Sequence, residues 1–126
     1  MKTLITTIAV LIGTFNVTSY RSVVEQTDDS PFITSIGQRV CGHGIAVSQD
    51  MLKSRAVKYG DWVYVENVGM KQINDTMNIR HKNRFDVWVS SLKEEREFHR
   101  KFKGRKLKVW IIGNEKEVRY RESAGK

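Results

Sequence analysis

The sequence has a single cysteine, Cys41, among 126 residues. A lone thiol excludes an intrachain disulfide framework and any zinc site built from several cysteines. His43, His81 and His99 do not stand at metal-ligand spacing, so neither a metal nor a cofactor is expected. No run approaches the roughly 20 apolar residues of a firm membrane span, and no stable membrane-spanning helix is expected. There are no internal repeats and no low-complexity segments. The one proline, Pro31, falls in a polar stretch over residues 25–31 that reads as a loop. The length fits one domain of about 100–150 residues, which excludes a two-domain enzyme.

What is present is charge of one sign, unevenly placed. There are 22 Lys+Arg against 14 Asp+Glu, a formal net charge of +8, with 40% hydrophobic and 29% charged residues. That composition is globular and not that of a disordered tail. Residues 1–79 hold seven basic and seven acidic side chains, whereas residues 80–108 hold eleven basic and four acidic. A one-sided basic segment implies an anionic partner. No recognition-module signature accompanies it, so specific nucleic-acid binding is not expected.

At the N-terminus Lys2 precedes an apolar stretch over residues 4–12. One basic residue before a short apolar core predicts an export signal over residues 1–15 and hence a periplasmic or extracellular protein of the cell envelope. The same stretch is rich in β-branched residues and also reads as a buried strand. The folded domain is expected over residues 16–113, with a polar, flexible tail over 114–126.

Strand-like runs occur at residues 16–20, 39–47, 62–66, 70–74, 84–89 and 106–112. In the fifth, Phe85, Val87 and Val89 share one face while Asp86 and Trp88 share the other. An acid beside a tryptophan on the non-core face suits a cleft. Trp62, Tyr64 and Trp110 are expected in the barrel core. Ser48 can cap a short helix, with Asp50 in its first turn. Ser91-Leu92-Lys93-Glu94 is a capping box, Gly104 a natural stop, and Leu92, Phe98 and Phe102 a buried stripe. A mainly β chain with one or two short helices argues for a small β-barrel.

Three segments carry a resemblance. The first is Gln26-Thr27-Asp28-Asp29-Ser30-Pro31-Phe32-Ile33-Thr34-Ser35-Ile36-Gly37. The second is Ala46-Val47-Ser48-Gln49-Asp50-Met51-Leu52 followed by Tyr59-Gly60. The third is Asp75-Thr76-Met77-Asn78-Ile79-Arg80, then Arg84-Phe85-Asp86-Val87-Trp88. With Val17-Thr18-Ser19-Tyr20 in front and Lys108-Val109-Trp110-Ile111 behind, their order resembles the three-aspartate (3D) domain family over about residues 17–112. That family includes the catalytic domain of a membrane-bound lytic transglycosylase and small stationary-phase muralytic proteins.

The resemblance implies a six-stranded double-psi β-barrel acting on peptidoglycan glycan strands. It places Asp86 on the general acid/base and Asp75 on its partner carboxylate. Near the third family aspartate, Ser48 holds the aligned position and Asp50 follows two residues later, so Asp50 is the candidate third carboxylate. Ile33 stands where some muralytic members carry a lysine. Thr34, Ser35, Thr76, Asn78 and Trp88 are the candidate substrate-binding residues. The reaction implied is non-hydrolytic cleavage of the MurNAc–GlcNAc bond. The alternative is a barrel that binds cell-wall glycan without cleaving it.

Overall fold

The computed structural model describes the backbone of residues 6–21 and 42–124. The loop at 25–31, Thr34, Ser35 and Cys41 lie outside the described residues. The elements run β1 (Thr7–Tyr20), β2 (Gly44–Val47), α1 (Gln49–Lys53), β3 (Trp62–Val65), β4 (Gly69–Thr76), β5 (Arg84–Trp88), α2 (Leu92–Phe102), β6 (Lys106–Asn114) and α3 (Glu115–Ala124). The chain is mainly β.

The six strands close into a mixed barrel in the order β1-β5-β2-β4-β3-β6. Pairs β1/β5 and β2/β4 are parallel, and the other four are antiparallel. Exchanging β1 with β4, β2 with β5 and β3 with β6 reproduces the same ring with the same pair directions. The chain therefore consists of two topologically equivalent halves that interlock. A strand of each half runs between two strands of the other, which is the double-psi arrangement. No repeat is visible in the sequence because the two halves share connectivity and not side chains.

Alternation decides which residues line the interior. In β3, Val63 and Val65 are fully buried while Trp62 and Tyr64 face outward. In β5, Phe85 and Val87 point in; in β6, Leu107, Val109 and Ile111 do. Phe15 meets Phe85 edge-on, with ring centroids 5.2 Å apart. Helix α2 lays Phe98 and Phe102 on this core. Ser91 accepts a hydrogen bond from the Glu94 N–H at 3.2 Å, and Gly104 leaves the helix at φ +73, as a capped helix with a glycine stop should. Leu92 departs from the expected buried stripe and is 41% exposed, because it opens the helix beyond the edge of the core.

Three other differences have physical causes. The apolar N-terminal stretch is continuous with the first strand. β1 pairs with β6 from Thr7 opposite Asn114 to Asn16 opposite Lys106, so residues 7–15 are barrel wall, joined without a break to the segment at 16–20. A bulge between Leu11 and Gly13 lets the strand bend, and Gly13 supplies the required φ of +147. The tail expected to be flexible forms α3, which buries Val118 against Gly113 and donates the Glu115 N–H to the Thr6 carbonyl. Few apolar residues in a polar segment gave a weak periodic signal. The aromatic residues Trp62 and Tyr64 stand outside the barrel, since valines occupy the inward positions of β3.

Candidate functional site

The site is assembled by register. Thr18 of β1 lies opposite Asp86 of β5, Asp86 opposite Ala46 of β2, and Ala46 opposite Asp75 of β4. These four residues form one row across the outer face. Two strand spacings separate the aspartates, about 10 Å at the backbone, with Ala46 on the strand between them. The two expected aspartates, eleven residues apart in sequence, are thus brought to one level of one face.

Asp75 reaches that face through an irregularity. Ile45 pairs with Ile73, but Ala46 pairs with Asp75. Asn74 is the extra residue of a β-bulge and is itself buried. Side chains alternate along a strand, so an unbulged β4 would turn Asp75 toward the core. The bulge re-aims it outward.

The carboxylates have specific partners. The Thr18 hydroxyl donates to Asp86 Oδ1 at 2.9 Å. The Tyr20 hydroxyl donates to Asp75 Oδ2 at 3.3 Å, and the Thr76 N–H to Asp75 Oδ1 at 2.9 Å. Tyr20, Ala46 and Met77 form a small buried cluster on this face, with Trp88 packed against it. Burial is the main reason that the Asp86 carboxyl is pushed up to about 6; the Thr18 hydrogen bond opposes this, the Asp75 charge adds to it, Arg84 opposes it and Glu95 adds to it. A half-buried carboxyl beside a like charge resists ionisation.

The other expected residues are placed differently. Asp50 sits in the first turn of α1, where the Asn83 N–H reaches its Oδ2 at 3.1 Å. Burial would raise its pKa, but the Ser48 hydroxyl, the N–H groups of Asn83 and Asp50 and the charge of Lys82 prevail and hold it below the ordinary value. Asp50 therefore ties α1 to the β4–β5 loop, while Asp75 and Asp86 meet across β2. Ser48 is fully buried, and its Oγ accepts from the Arg84 N–H at 3.0 Å and makes no side-chain cap to α1. Thr76 donates its hydroxyl to the Val47 carbonyl, and Asn78 accepts from the Arg80 N–H within a turn. Trp88 is half-buried beside Tyr20. Thr18 and Tyr20, the direct partners of the two acids, carried no assigned role in the sequence. The alternation of Val17 and Thr18 marks Thr18 as outward-facing, but its partner lies 68 residues away.

Among the described residues, no group of three or more His, Cys, Asp or Glu side chains is placed to hold a metal ion, and no helix is long and apolar enough to cross a membrane. No protein-family model matches the chain, and no curated protein matches it.

Proposed function

We propose that the protein is a lytic transglycosylase of bacterial cell-wall peptidoglycan, with Asp86 as general acid/base. The observation that carries this reading is a carboxyl poised near pH 6, held by Thr18, with a second carboxylate in the same row. The similarity of the Asp75 and Asp86 segments to three-aspartate domains supplies the substrate class.

Protonated Asp86 gives its proton to the glycosidic oxygen as the bond from that oxygen to the MurNAc anomeric carbon breaks. The resulting carboxylate takes the proton of the sugar's own 6-hydroxyl while that oxygen bonds to the same carbon. The products are a chain with a free 4-hydroxyl and a 1,6-anhydro end, and no water is consumed. One residue serves as acid and then base, which requires a pKa near the working pH. Asp75 raises the proton affinity of Asp86 and offers negative charge to the oxocarbenium-like transition state. The Tyr20 and Thr76 hydrogen bonds orient it.

The reading places the protein in the cell envelope. Delivery there would leave residues 7–20 in place, because loss of 7–15 would strip β6 of one of its two partners and open the barrel. The test is incubation of the full chain with isolated peptidoglycan and mass spectrometry of the products. Anhydro ends that vanish in Asp86→Asn are expected. Reducing ends would indicate hydrolysis through both carboxylates, and retention on sacculi without products would indicate the binding barrel.

A further inference from the structure

Beside the acid row lies a groove of about 670 Å³ between α2 and β1. Its lining includes Thr18, the residue bonded to Asp86, so the groove adjoins the acid row at that residue. Arg84, Arg96, Arg100, Lys103 and Arg105 also line it. Arg84 stands two residues before Asp86 on β5 and is close enough to influence its charge. Arg96 and Arg100 are one helical turn apart, and Lys103 continues their line along α2. Among the described residues, no ion pair engages any of these five cations. The acid on the same wall, Glu95, is held by Arg21 at 2.6 Å.

Resting on the reading of Asp86 as the acid, we propose that this groove is a substrate subsite for the carboxylate-bearing side of the glycan. Four of the five cations are arginines, whose planar fork matches a carboxylate with two parallel hydrogen bonds. A strand seated there emerges past Thr18 at Asp86. The enzyme therefore reads negative charge on one side of the bond that it cuts and favours wall glycan with free peptide carboxylates over glycan in which they are amidated. The excess positive charge is then a specificity element and not only a general adhesive.

The test uses soluble, uncrosslinked peptidoglycan fragments, half of them with every carboxyl blocked as the methylamide. Binding is measured with full-length Asp86→Asn, which does not consume the ligand. Blocking is expected to weaken binding about three- to tenfold at low salt, with the difference shrinking as salt is added. Arg96→Gln with Arg100→Gln is expected to weaken the free form by a similar factor and leave the blocked form unchanged. Equal affinity for both forms, or a double variant that weakens both alike, overturns the subsite. So does duplex DNA that binds more tightly than the free fragments at the same salt. Cleavage by the unmodified chain separates the two ideas: both forms cut equally well removes the subsite and keeps the acid. No cutting, with charge-selective binding intact, removes the acid and keeps the subsite as a binding groove.

Discussion

The outer surface of the barrel has two opposed faces that the exchange of halves maps onto themselves. One is centred on β2/β5, the other on β3/β6. On the first, the row Thr18–Asp86–Ala46–Asp75 crosses four strands. On the second, Leu11, Trp110, Tyr64 and Met70 make an equivalent row. Both rows point away from the core, yet their chemistry is inverted. The aspartate face carries ionisable groups beside a cluster in which Tyr20, Met77 and Trp88 pack around Ala46. The aromatic face leaves Leu11, Tyr64 and Met70 more than 40% exposed. Strand position fixes only the direction of a side chain; what packs over it decides whether it becomes a tuned acid or an exposed ring. On the proposed reading, the β2/β5 face is where proton chemistry would take place, while the β3/β6 face exposes apolar and aromatic side chains.

The strongest way to break this contrast is to exchange single residues. Asp86→Asn should lower peptidoglycan cleavage by about 10²–10⁴-fold, the usual contribution of a general acid; Trp62→Ala should leave it unchanged. A similar loss in both, measured as anhydro products per unit time, would mean that the faces are not separate.

Stability gives the next test. The Asp86 pKa rises from 3.8 unfolded to about 6 folded, so the folded state holds this proton more tightly. Its stabilising effect is full below about 4 and is lost as pH rises through 6. At pH 7.5 the ionised carboxyl is a liability, and Asp86→Asn should be more stable than the parent by on the order of 2 kcal/mol, the gain fading toward pH 4. Val63→Ala, in contrast, should cost about 2 kcal/mol at every pH, since that side chain is fully buried. Urea unfolding across pH 4–8 reads both. A gain for Asp86→Asn that persists at pH 4 would refute the assignment.

Smaller effects sharpen the aspartate face itself. Asp75→Asn removes the like charge and should move the alkaline limb of the cleavage profile to lower pH. Thr18→Val removes the hydrogen bond that favours the carboxylate and should move it higher. A small effect is expected from Trp62→Ala on stability, about 1 kcal/mol, because the ring stands outside the core, partly exposed and stacked on His43 at 5.3 Å.

The legible parts of the fold were those written in local pattern. The alternation of Phe85-Asp86-Val87-Trp88 placed Asp86 outside the core, and Ser91 with Glu94 marked the start of α2. The resemblance to three-aspartate domains singled out Asp75 and Asp86 as a pair, and β2 brings that pair into register. The illegible parts depend on partners distant in sequence. Residues 7–15 have the same apolar content whether they serve as a leader or a strand, and only pairing with β6 distinguishes the two. The bulge at Asn74 has no signature in residue type, yet it sets the direction of Asp75. Trp62 and Tyr64 read as core because aromatic rings usually are, while the barrel needed the smaller Val63 and Val65 inside. Asp50 has the composition of a catalytic residue and the hydrogen bonds of a structural one.

The interlocked ring also bears on how the protein is made. β1 is synthesised before both of its neighbours, β5 and β6. As the chain leaves the ribosome, this 14-residue strand has neither edge satisfied until β5 appears, and one edge stays open until β6 is complete. Closing such a ring requires distant segments to meet before any half gains much stability. A newly made N-terminal half therefore presents sticky, unpaired backbone for most of its synthesis. Until β6 closes the ring, the open edge is one that another chain could pair with.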